Sequence, residues 1–116
     1  MAQKDRAEHT KAAFKLLLSD ADIAPPERLR ALREAANLSL AELAAKIGGS
    51  APGISDWENA KDRPSRAFPL KLEAWSACVV GELGLPARRV LRPADWLTEE
   101  DRAAVERLAS PPPEAA

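Results

Sequence analysis

Leu43-Ala44-Ala45-Lys46-Ile47-Gly48-Gly49-Ser50, running straight into Ala51-Pro52-Gly53-Ile54-Ser55-Asp56-Trp57-Glu58-Asn59, decides how this chain is read. Leu40, Leu43, Ala44 and Ile47 recur at the spacing that puts side chains on one face of an α-helix. Gly48-Gly49 ends that helix, because glycine adopts positive φ without a Cβ clash. Ser50 is suited to cap a second helix, and Pro52 sits near its start, where a missing N–H costs nothing. Ile54 and Trp57 turn back to the same core. The pattern predicts two helices meeting at a tight turn. That is the helix-turn-helix arrangement, whose second helix enters the major groove of DNA.

The flanks extend the pattern. Leu29-Arg30-Ala31-Leu32-Arg33-Glu34-Ala35-Ala36-Asn37-Leu38-Ser39 predicts a preceding amphipathic helix ending at Asn37, followed by a Ser39 cap. Lys61-Asp62-Arg63-Pro64-Ser65 closes the unit with a basic turn. The blocks L-R-x-x-R-E-A, L-S-x-x-E-L-A, I-S-x-W-E-N and x-x-R-P-S fall in order. In this the run from Glu27 to Val80 resembles the XRE, or Cro/CI-type, helix-turn-helix regulators. The resemblance implies a lambda-repressor-like bundle of four to five helices that binds operator DNA as a dimer.

Composition agrees with an all-α fold. The chain has 116 residues, 46% of them apolar and 30% charged, which suits one small globular core. Tyrosine is absent and β-branched runs are missing. Cys78 is the sole cysteine, so no internal disulfide is expected and a reducing cytosol is the natural setting. No apolar run approaches the ~20 residues of a membrane span. The start of the chain does not resemble a signal peptide.

The net charge of -1 conceals a gradient. Arg28, Arg30, Arg33, Lys46, Lys61, Arg63, Arg66 and Lys71 outnumber the acids between Glu27 and Lys71. Arg88, Arg89 and Arg92 form a second basic cluster. From Ala94 onward the chain turns acidic. For any single arginine, a solvated helix face is the ordinary reading.

Four segments are expected. Residues 1–24 form an N-terminal helical arm with Ala7, Phe14, Leu17 and Leu18 as its apolar stripe, broken by Pro25-Pro26, with the next helix starting at Glu27. Residues 25–80 form the DNA-binding domain. Residues 81–110 are a loop-rich connector, Gly81 to Pro93, and a C-terminal helix capped by Thr98, with Leu97, Ala104, Val105 and Leu108 on one face. Residues 111–116, rich in proline, are expected to be a disordered tail.

Projected with Ile54 facing inward, the second motif helix carries Pro52, Ser55, Asp56 and Asn59 on its outer side, with Ala51 at the leading edge. The resemblance implies that Ala51, Pro52 and Ser55 stand at base-reading positions. It also implies that Asn59 and the Ser39 neighbourhood stand at backbone-contacting ones. Ser50 leads the same helix, and Lys61, Arg63 and Arg66 are suited to phosphates. The chain departs from the family at several of these positions. Ala51 offers only apolar contact where Gln is common, and Asp56 stands where Arg or Lys is common. Asp56 would repel phosphate or accept from a cytosine amino group. Gly53 costs a helix about 1 kcal/mol relative to alanine.

Other residues have plainer readings. Trp57 and Trp75 are expected in the core, Trp96 at a core or dimer edge, Cys78 as a small buried apolar residue, and His9 solvated. No catalytic constellation, metal-spaced cluster or phosphate-cradling loop is visible, so no enzyme, metal or cofactor is expected. Glu58 stands at a position that, by the resemblance, stabilises the fold.

The expected function is a sequence-specific transcriptional regulator, typically a repressor on a near-palindromic operator. It would be a cytoplasmic, nucleoid-associated homodimer of bacterial or phage type. Its partner would be double-stranded DNA, with a protein partner conceivable and no membrane. The alternative is an antitoxin-like or coactivator-like interaction module with weak DNA specificity, motivated by the poor complement of base-reading side chains.

Overall fold

The computed structural model describes residues 2–109. Among these are six α-helices and no strand: α1 (Ala2–Leu18), α2 (Pro25–Ala35), α3 (Leu40–Ile47), α4 (Ala51–Glu58), α5 (Phe68–Leu83) and α6 (Glu99–Ala109). Short 3-10 turns occupy Ala87–Arg89 and Pro93–Trp96. The fold is all-α: a helix-turn-helix bundle, α2 to α5, extended by one helix at each end. The expected tail, 111–116, lies outside the described residues.

Local chemistry sets the helix boundaries. Helix α2 begins at Pro25 rather than at Glu27, because proline in a first turn forfeits only N–H groups that have no helical acceptor. It ends before Asn37, which takes a left-handed φ of 59°, a conformation asparagine tolerates. Ser39 then caps α3 with a reciprocal pair: its hydroxyl accepts from the Glu42 N–H at 3.0 Å, and the Glu42 carboxylate accepts from the Ser39 N–H at 2.8 Å. Gly48, at φ 75°, ends α3 in the left-handed region, where a Cβ would be strained.

Leu29, Leu32, Leu43, Ile54 and Leu72 are fully buried and join α2, α3, α4 and α5 in one core. Each such side chain contributes about 1.5–3 kcal/mol relative to exposure. Trp57 packs against Phe68 with ring centroids 5.1 Å apart. Trp96 is buried in the same core, and Trp75 is half-buried against it.

Helix α1 lies along α2 on a face that overlaps the expected stripe at Phe14 and Leu17 but not at Ala7 and Leu18. Ala13 and Leu17 are buried and Phe14 is half-buried, whereas Ala7 and Leu18 are exposed. The run Leu16-Leu17-Leu18 supplies apolar groups all round the helix, so only docking selects which of them is covered.

The expected connector is largely structured. Helix α5 continues through Gly81 to Leu83, so the boundary expected at residue 80 falls inside it. Leu85, Val90 and Leu91 then enter the core. The Ser76 hydroxyl, fully buried, accepts from the Leu91 N–H at 2.9 Å and donates to the Glu73 carbonyl at 3.1 Å. The Arg89 guanidinium is buried and donates to the carbonyls of Leu17, Ser19 and Ala21 at 2.7–2.9 Å. Arg88 also donates to the Ser19 carbonyl. These arginines of the second basic cluster therefore tie the end of α1 to the C-terminal segment.

Cys78 is exposed, which corrects its expected burial. It lies on the outward side of α5, while Leu72, Ser76, Val79 and Val80 fill the inward one. Beyond Trp96, Thr98 caps α6 as expected, its hydroxyl accepting from the Asp101 N–H at 3.0 Å. No residue of α6 is buried, and the described residues extend 64 × 30 × 21 Å.

Candidate nucleic-acid interface

The Ser50 hydroxyl caps α4 by accepting from the Gly53 N–H at 3.1 Å. A Cβ on Gly53 would stand 2.9 Å from that hydroxyl oxygen, so the missing side chain leaves room for the cap. This contact gives a local reason for glycine at a position where it otherwise costs the helix.

Around α4 the expected division of faces holds. Ile54 and Trp57 are buried, while Pro52 and Asn59 are exposed and Ala51, Ser55 and Asp56 are half-buried. Asn59 ends the helix, and its amide donates to the Ser55 carbonyl at 2.8 Å and to the Ser55 hydroxyl at 3.3 Å. Ser55 and Asn59 are thus neighbours on one outward edge. Helix α4 itself carries no cation; its charged residues are Asp56 and Glu58.

Glu58 differs from the rest of the helix end. Its side chain is 1% exposed and receives Arg33 Nε at 2.7 Å, Arg33 Nη2 at 3.0 Å and Arg30 Nε at 3.3 Å. A buried carboxylate needs such partners to offset its lost hydration. The Arg33 pKa is raised: burial works against the charged form, but the bonds and field of Glu58 outweigh it. The same Arg30 donates through Nη2 to the Asn59 Oδ1 at 3.1 Å. Helix α2 therefore sets the height and tilt of the α4 exit.

The flanking cations divide. Lys61 and Arg66 are exposed on the α4–α5 loop, and neither side chain is paired among the described residues. Arg63, expected for phosphate, instead donates to the Trp96 carbonyl at 3.3 Å. Ser39 is half-buried at the α3 cap, where Arg6 of α1 pairs with Glu42 and donates to the Asn37 carbonyl at 2.6 Å. Lys71 donates to the Ile47 carbonyl at 3.2 Å and so caps the end of α3.

Arg30 was not among the expected contact residues, although it sits beside Asn59 with 48% of its side chain exposed. Its signal was present in the L-R-x-x-R block, but the proximity to Asn59 spans a separation of 29 residues and had no local trace.

Among the described residues no group of three or more His, Cys, Asp or Glu is placed to hold a metal ion. No helix among them is long and apolar enough to cross a membrane.

Residues 27–74, the stretch from the start of α2 into α5, match the family model of a helix-turn-helix domain. No curated protein and no solved structure matches the chain. The matched stretch contains the turn, both motif helices and the Arg30–Arg33–Glu58 cluster. The stretch is similar to a helix-turn-helix domain in sequence, and the α3–turn–α4 arrangement agrees with that likeness.

Proposed function

We propose that the chain is a sequence-specific transcriptional regulator that places α4 in the major groove. In this reading it is a repressor, and two copies grip a near-palindromic operator and occlude a promoter. The observation that carries the reading is the capped helix α4, fixed through Ile54, Trp57 and Glu58, with Pro52, Ser55 and Asn59 left accessible inside the matched domain.

Residues 25–80 supply the DNA contacts, and 81–110 contribute to the dimer. Ser55 and Asp56 address base edges, and Ala51 and Pro52 offer apolar contact to thymine methyls. Ser39, Ser50 and Asn59 approach the sugar–phosphate backbone, with Lys61, Arg63 and Arg66 as its cations. Arg63 exchanges the Trp96 carbonyl for a phosphate oxygen. Because α4 has no cation and few long polar side chains, DNA shape contributes much of the specificity. In the dimer the two α4 helices lie about 34–36 Å apart, one turn of duplex.

The test is selection of bound fragments from genomic DNA, followed by gel shift of the best fragment across a salt series. Each phosphate contact removed lowers the slope of log affinity against log salt by about 1. Lys61→Ala with Arg66→Ala is expected to lower it by about 2 without changing the preferred sequence. Failure to enrich any fragment, with no salt-dependent shift, overturns the reading.

The absence of a cation from α4, with Asp56 on its outer side, favours one alternative. In that reading the chain is an antitoxin-like or coactivator-like interaction module that uses the same fold with weak DNA specificity. Stable co-purification of a partner together with no DNA shift is its signature.

A further inference from the structure

Among the described residues two surfaces are left uncovered, and they suit each other. No residue of helix α6 is buried among the described residues: Leu108 is 87% exposed and Val105 53%, on the face that also bears Ala104. Its first turn carries Glu99, Glu100 and Asp101. Between α3 and α5 runs an open groove of about 770 Å³, floored by Ala45, Ala74, Trp75 and Cys78 and rimmed by Lys46 and Lys71. Lys46 is exposed and in no ion pair among the described residues.

We propose that α6 of one copy seats in the α3–α5 groove of a second copy, with its acidic first turn toward Lys46 and Lys71. Val105 and Leu108 then cover the half-buried Trp75. Opposite charges at the rim fix the direction of the helix, and the apolar strip supplies the burial. The occupant is a second copy because donor and acceptor lie on one chain, so mutual exchange closes at two. Exchange also doubles the covered area, which a single short helix needs in order to approach the ~1,200–2,000 Å² of a stable interface.

The inference rests on the dimer of the proposed function, not on its DNA contacts. It is tested on the full chain. Sedimentation at tens of micromolar is expected to give a dimer for the wild type and a monomer for Val105→Glu with Leu108→Glu. That variant should keep the wild-type helical circular dichroism, since no residue of α6 is buried in its own chain, and its melting temperature should lose the concentration dependence that dimerisation gives the wild type. Oxidation of a mixture of wild type and a Leu108→Cys, Cys78→Ser variant is expected to yield a disulfide between unlike chains. A monomeric wild type, a dimer that survives both glutamates, or no mixed disulfide overturns the inference. A dimer that shifts DNA without cross-linking overturns it alone; a cross-linked dimer that shifts no DNA overturns only the DNA reading.

Discussion

Arg33 and Glu58 meet across α2 and α4 in a two-pronged ion pair, Nε to Oε2 at 2.7 Å and Nη2 to Oε1 at 3.0 Å. The carboxylate side chain is 1% exposed and that of Arg33 13%, so neither can recover hydration if its partner is lost. Glu58→Ala is expected to lower unfolding free energy by about 3–5 kcal/mol, the usual penalty for orphaning one side of a buried pair. Glu58→Leu combined with Arg33→Met should recover most of that loss, because no charge is then left stranded. Urea unfolding of the single and double variants checks both. A loss below 1 kcal/mol for Glu58→Ala would mean that the cluster is solvated in solution.

Gly53 and Ser50 form a coupled pair. Alanine at a helical glycine ordinarily adds about 1 kcal/mol. Here the new Cβ would approach the Ser50 hydroxyl at 2.9 Å and disturb a cap worth about 0.5–2 kcal/mol. Gly53→Ala should therefore leave wild-type stability nearly unchanged, yet raise it by about 1 kcal/mol in a Ser50→Ala background. A double-mutant cycle by chemical denaturation measures the difference, and strict additivity would refute the contact.

Arg89 holds the end of α1. Replacing it with methionine removes donors from the carbonyls of Leu17, Ser19 and Ala21. An acceptor orphaned in a buried place costs about 1–3 kcal/mol. Hydrogen exchange should show α1 amides losing protection well before those of α3 and α4. Uniform loss across all helices would indicate that α1 folds inseparably from the domain.

Glu42 makes the α3 cap sensitive to acid. The Ser39 N–H, and then Arg6, pull its pKa from 4.5 down to about 2. Its ionised form is favoured in the folded state, so its stabilisation is complete above pH 4.5 and disappears as pH falls towards 2. Wild type and Glu42→Gln should thus differ in melting temperature at pH 6, and the gap should close across that window. A gap that stays constant from pH 6 to pH 2 would contradict the cap.

The division of the α4 face was legible because it rests on helical periodicity alone. Ile54 and Trp57 turn inward and Pro52 and Asn59 outward, as their spacing requires. Less of the charge around the site was legible. Arg63 looked like a free cation, but a carbonyl 33 residues further along the chain claims it. Arg30 looked like a solvated charge, yet it bridges Glu58 and Asn59.

By itself the amino-acid order determined the helices, their caps at Ser39, Ser50 and Thr98, the Gly48 stop and the turn between α3 and α4. Those features are fixed by backbone sterics and by hydrogen bonds spanning a few residues. The tertiary structure decided which side of α1 is covered, that Cys78 faces outward, that Arg89 is a buried strut and that α6 buries none of its described residues. Each depends on which distant group arrives within a few ångströms, and desolvation and packing act on that arrangement in space without leaving a mark on neighbouring positions in the chain.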